Sequence, residues 1–154
     1  VSDEEQAAYL VRASLIFMRM GVDRGYIYFF DDKDKPSVHA SSGIMRHGKP
    51  KPAWYMLKQL QALLGDYYFD DAIEQSPQRY IYRLKRADGK REARVYWSPT
   101  GEPFEVGPLV PNRWEGGRFR VFALTGDEQG PKTLELGKTV AVGMNPVVVI
   151  RPLR

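Results

Sequence analysis

The apolar positions change period partway along the chain. In the first third, Leu10, Val11, Leu15 and Met18 follow helical spacing, with Ala7, Ser14 and Phe17 widening the face. Ser2-Asp3-Glu4-Glu5 fits a capping box and Gly21 a C-terminal stop, which predicts a helix over residues 3–20. Gly25-Tyr26-Ile27-Tyr28-Phe29-Phe30 is a short, nearly unbroken apolar run, the pattern of a parallel strand buried on both faces. A long polar stretch, 31–51, follows. Within it Gly43-Ile44-Met45-Arg46 reads as a short extended piece before a turn at His47-Gly48. Pro52 then suits a first helical position, Trp54, Leu57, Leu60, Leu63 and Leu64 form the stripe, and Gly65 ends the helix.

After Gly65 the period becomes that of strands. Tyr80 to Leu84 and Ala93 to Trp97 flank an Asp88-Gly89 hairpin signal. Phe104–Val106, 119–124, 133–136, 139–142 and 147–150 are further short strands, punctuated by Gly, Pro and Asn. This spacing predicts an antiparallel β-sandwich over 66–154, with a boundary near Gly65–Tyr68. A buried parallel strand needs neighbours on both sides and helices over both faces. A lone helix–strand–helix exposes Tyr26 to Phe30 and two apolar helix stripes. Residues 1–65 are therefore expected to be incomplete alone, the remaining parallel strands coming from another polypeptide.

Composition changes this picture little. Nine Tyr, seven Phe and three Trp suit a β-rich core or a surface that stacks on sugar rings. The net charge of +4 is spread over Lys and Arg mixed with acids, the densest group lying around the Asp88-Gly89 turn, so a solvated hairpin is expected there and no nucleic-acid stripe. The chain contains no Cys, which excludes disulfides, Cys-ligated zinc and thiol catalysis. No segment has the length and apolarity of a membrane span. The start, Val1-Ser2-Asp3, carries neither a signal-peptide pattern nor an initiator Met, and suggests a chain cut from a longer precursor.

Several stretches resemble one enzyme group. Glu5-Gln6-Ala7-Ala8-Tyr9-Leu10-Val11-Arg12, Gly21-Val22-Asp23-Arg24, Tyr28-Phe29-Phe30-Asp31-Asp32, Ser42-Gly43-Ile44-Met45 and Gly48-Lys49-Pro50-Lys51-Pro52-Ala53-Trp54 look like the end of a retaining (β/α)8-barrel glycoside hydrolase. The clan is the one with its acid/base on strand four and its nucleophile on strand seven. The likeness is to families five and thirty-nine and to bacterial exopolysaccharide endoglycosidases. Val95-Tyr96-Trp97-Ser98-Pro99-Thr100 and Asn145-Pro146-Val147-Val148-Val149 are similar to the β-sandwich that follows such barrels. The resemblance implies helix seven, strand eight and helix eight of a barrel in residues 1–65. It also implies a polysaccharide substrate, an N-terminal barrel fragment as partner, no cofactor, and an extracellular or periplasmic setting. The two catalytic glutamates of the family would lie outside this chain.

The chain's own residues point to binding and not to catalysis. Retaining hydrolysis needs two carboxyls about 5 Å apart across the scissile bond, and Glu4 and Glu5 are adjacent in a helix cap, where they favour the helix dipole. Barrel active sites lie at the C-terminal ends of strands, which makes Phe30, Asp31 and Asp32 candidates for contact with sugar. His39 in the loop behind them and Trp114 between Asn112-Arg113 and Glu115-Gly116-Gly117 are further candidates. No metal is expected: Asp31-Asp32-Lys33-Asp34 lacks the glycine and distal Glu of a calcium loop. The alternative to a hydrolase fragment is a non-catalytic carbohydrate-binding or interaction module.

Overall fold

The computed structural model describes residues 1–28, 30–33, 41–110 and 119–153. Two helices cover one face of an antiparallel sheet and a two-stranded ribbon covers the other. Helix α1 spans Asp3–Arg19 and α2 spans Pro52–Leu64. The capping box forms as expected: the Ser2 hydroxyl accepts from the Glu5 amide at 3.1 Å, and the Ser2 amide donates to the Glu5 carboxylate at 2.7 Å. Between the helices, β1 (Met45–Arg46) and β2 (Lys49–Pro50) form a small hairpin. His47 and Gly48 both have positive φ, which is what a two-residue turn of this hand requires.

The remaining strands are β3 (Tyr67–Gln75), β4 (Tyr80–Arg86), β5 (Arg91–Trp97), β6 (Phe104–Val106), β7 (Arg120–Ala123), β8 (Lys132–Thr133), β9 (Val140–Val142) and β10 (Val147–Pro152). Six of them make the main sheet in the order β3-β4-β5-β10-β7-β8, each neighbour antiparallel; β6 and β9 make the ribbon. Strand alternation sorts the sheet's side chains into two cores. Tyr82, Leu84, Ala93, Val95, Trp97, Val148 and Ile150 pack with Ala7, Val11, Leu15, Ala53, Met56, Leu60 and Leu64 of the helices. Tyr96, Val121, Val147 and Val149 pack with Val142 and Phe104 of the ribbon. The continuous apolar run of β10 follows from this: it is central, and both its faces are covered.

Polar side chains fix the helices in place. Buried Arg12 of α1 donates to the carbonyls of Ser98 and Pro99 at 2.8 and 3.2 Å. Buried Gln59 of α2 accepts from the Thr125 amide and donates to the Asp127 carbonyl, both at 2.9 Å. A Cβ at Gly126 would stand 2.5 Å from Pro52 Cβ, so only glycine lets this turn lie against the start of α2.

Three expectations are corrected. No strand forms through Gly25–Tyr28: Tyr26 is 85% exposed, Tyr28 75% and Phe30 59%. Among the described residues no strand runs parallel beside it. Among the described residues its ladder contact is a parallel bridge from Asp31 to Met45, with the Phe30 carbonyl accepting from the Ile44 and Met45 amides. The helix stripes, by contrast, are not left open, because the sheet supplies their cover and one core runs across position 65. The longest strand, β3, falls where the sequence reading placed only a boundary. It is an edge strand with two register shifts, at Phe69/Asp71 and Ala72/Glu74.

Candidate functional site

The segment after the exposed aromatic run is held by an ionic cluster. The Asp32 carboxylate accepts from the Gly43 amide at 2.9 Å, from Arg46 Nε at 3.1 Å and from Lys51 Nζ at 3.2 Å. Arg46 also grips Asp3 with both terminal nitrogens, at 2.8 and 2.9 Å. Lys51, only 3% exposed, reaches Asp3 at 3.2 Å and the Ser41 carbonyl at 3.1 Å. Gln6 of α1 completes the frame by donating to the carbonyls of Ser42 and Gly43 at 3.0 and 3.1 Å. The residue before α2 is thus a buried cation whose charge is neutralised by two carboxylates from α1 and the 31–32 segment. This gives Lys49-Pro50-Lys51-Pro52 a physical reason. Gly43 is equally constrained, since a Cβ there would come within 2.8 Å of the Asp31 backbone.

The electrostatics fit anchoring. Burial alone would raise the Asp3 carboxyl, but hydrogen bonds from Arg46 and Lys51 and their charges outweigh it and hold Asp3 below the usual carboxylate range. Asp3 therefore stays ionised at neutral pH and is unsuited to general-acid work. Asp32 has both oxygens engaged. The two carboxylates that the fold brings together are tied to the same two cations, and neither is placed as a nucleophile or proton donor.

The features open to a ligand lie beside this cluster. The Phe30 ring meets the Trp54 ring edge-on, with centroids 5.9 Å apart and planes at 86°, and both are partly exposed. Asp31 has one carboxylate oxygen buried with no hydrogen-bond partner among the described residues. An open cleft of about 480 Å³ runs between Ser2, Asp3 and Gln6 on one side and Ser41, Ser42 and Arg46 on the other. Partly exposed aromatic rings suit stacking of a ring face on sugar, and carboxylates suit accepting from hydroxyls. Of the sequence candidates, Phe30, Asp31 and Asp32 come together here; His39 and Trp114 lie outside the described residues. Among the described residues no three His, Asp or Glu side chains group to hold a metal, and no helix is long and apolar enough to cross a membrane.

Sequence reasoning missed Trp54, Gln6, Arg46 and Lys51. The buried stripe of α2 is Ala53, Met56, Leu60 and Leu64, which turns Trp54 to the flank. The signal was available, since 53, 56, 60 and 64 also follow helical spacing, but Trp54 is the larger apolar residue. Comparison with known proteins gives no further guide: no family model, no curated protein and no solved structure matches the chain.

Proposed function

We propose that this chain is the C-terminal part of a retaining glycoside hydrolase acting on polysaccharide. In this reading residues 1–65 supply the last helix–strand–helix of a (β/α)8 barrel, and the sheet and ribbon form the accessory sandwich. One observation carries it. Tyr26 to Phe30 has the composition of a doubly buried parallel strand, yet Tyr26, Ile27 and Phe30 are 85, 40 and 59% exposed. Burying three such side chains is worth roughly 4.5–9 kcal/mol at about 1.5–3 each, comparable to a domain's net stability. The remaining barrel strands would cover them. They would also bring the two glutamates that the chain's own carboxylates do not replace.

The test is to compare the 154-residue chain with a longer polypeptide that includes the coding sequence immediately upstream. The chain alone is expected to hydrolyse no glycan. The longer protein is expected to depolymerise polysaccharide and to protect the amides of 26–30 from hydrogen exchange. Hydrolysis by the chain alone, lost on mutating one of its own Asp or Glu residues, overturns the reading. So does a longer protein that leaves 26–30 unprotected. Binding of polysaccharide by the chain alone, lost in Phe30→Ala and Trp54→Ala, favours the non-catalytic binding module instead; the exposed Phe30–Trp54 pair is the observation behind that alternative.

A further inference from the structure

A second polar cavity lies on the helix-covered face of the main sheet, where α2 stops. Arg86 ends β4, Arg91 begins β5 and Arg120 begins β7, and these strands are near neighbours in the order β4-β5-β10-β7. By alternation Arg86 is in phase with Tyr82 and Leu84, Arg91 with Ala93 and Val95, and Arg120 with Phe122. All three belong to the face that carries the helical core, at rows that would be apolar if α2 continued over them. Instead α2 ends at Leu64, and the three arginines line a cavity of about 360 Å³ with Gln61, Asp66 and Tyr67.

Among the described residues the cations of this lining outnumber the carboxylates. Arg86 reaches Asp66 and Asp88, each at 3.5 Å. Neither Arg91 nor Arg120 has an ion-pair partner among the described residues, and Asp66 is the only carboxylate in the lining. Burial raises the Tyr67 phenol, while Arg91 and Arg86 pull it the other way, which places its hydroxyl within their field. Phe122 and Ile150 give the cavity an apolar wall. A guanidinium pair suits a planar carboxylate, and the volume lies within the range of small-ligand sites. Gln61, Asp66 and the Tyr67 hydroxyl offer donors and acceptors to ring hydroxyls.

We propose that this cavity binds a single acidic sugar unit, its carboxylate held by Arg91 and Arg120 and its ring set against Phe122. The site is built by this chain alone and stands or falls apart from the barrel reading. The experiment is a chemical-shift titration of the full chain with D-glucuronate, D-glucose and inorganic phosphate, repeated for Arg91→Gln and Arg120→Gln. Glucuronate is expected to saturate and to perturb Tyr67 and Gln61, glucose to leave them unmoved, and phosphate to bind at least tenfold more weakly. Each Gln variant is expected to weaken glucuronate at least tenfold, and Arg91→Lys, which keeps charge but loses the fork, to fall between. If a Gln variant unfolds, the Lys variant carries the test. The proposal fails if glucuronate does not saturate, if the variants bind as the parent does, or if phosphate equals glucuronate. Variants that lose stability but keep affinity also sink it, by showing that the arginines only complement the C-terminal end of α2.

Discussion

Arg12 shows how one side chain decides where a helix sits. It lies on the buried face of α1, in a heptad position where an apolar residue would be expected, and its guanidinium is satisfied by two carbonyls just beyond β5, with the Tyr9 ring 4.8 Å away. Burial lowers its pKa, yet guanidinium remains charged at any ordinary pH. A hydrogen bond to a charged group contributes about 1.5–3 kcal/mol, so Arg12→Met, which keeps the apolar stem but frees both carbonyls, is expected to cost about 3 kcal/mol in urea unfolding. A loss under about 1 kcal/mol would mean that α1 is held by packing alone. No sequence rule announces this role, because the carbonyls it serves are 86 and 87 residues away. The same holds for Lys51 and Asp32. Asp32 reads as a sugar contact and Lys51 as part of a stretch before a helix, and only the fold sets them 3.2 Å apart as an ion pair.

At the scale of elements, local signals and tertiary ones part company. Both helices are legible because their ends carry their own chemistry: Ser2 and Glu5 at one start, Pro52 at the other, Gly65 at a stop. The β4–β5 hairpin is legible for the same reason, Gly89 adopting positive φ and the Lys90 amide donating to Asp88 at 2.9 Å. Strand β3 is not legible, since Asp70, Asp71 and Glu74 break its alternation and its register shifts twice. Those acids are the device that keeps an edge strand from pairing further. They also tie β3 to β4: hydrogen bonds from Lys85 and Arg83, together with their charges, hold Asp70 below its usual 3.8. A carboxylate with a folded-state pKa below its unfolded value stabilises at pH above the unfolded value and loses that contribution as pH falls through the folded one. Unfolding midpoints should therefore fall between about pH 4 and the acid side of it, and Asp70→Asn should flatten that fall while lowering the midpoint at pH 7. An identical acid limb in parent and variant would show that other carboxylates, Asp3 first, carry the dependence. Within α2, Gln59→Ala should free the Thr125 amide and the Asp127 carbonyl from their partner, at a cost of about 2 kcal/mol. Heat or urea titration monitored at Trp97, buried in the same core, would read it.

For the whole molecule, the question is what the described fold leaves uncovered. The helices, the main sheet and the ribbon satisfy one another, and the apolar residues of two cores account for nearly every strand and helix face. Tyr26, Ile27, Tyr28 and Phe30 are an exposed run of consecutive or near-consecutive apolar residues, because the natural cover of such a run is a parallel strand and every neighbour in the main sheet and the ribbon is antiparallel. Sequence pattern alone identifies this segment as strand-type but cannot make it a strand, since hydrogen-bonded neighbours are a tertiary matter. Two consequences separate cleanly. If the segment awaits other strands, it contributes little to the chain's own stability, and replacing its exposed residues should be tolerated. Tyr26→Lys with Ile27→Lys is then expected to change unfolding free energy by no more than about 0.5 kcal/mol, the range of ordinary surface substitutions. The same change should reduce self-association, because Tyr26 and Ile27 are exposed apolar side chains at adjacent positions, a pattern that favours pairing between copies. Sedimentation velocity across a concentration series, run beside urea unfolding, reads both. A variant that is less stable by more than about 1 kcal/mol and no more monodisperse would show that Tyr26 and Ile27 serve this chain's own core, and the case for missing strands would go with it.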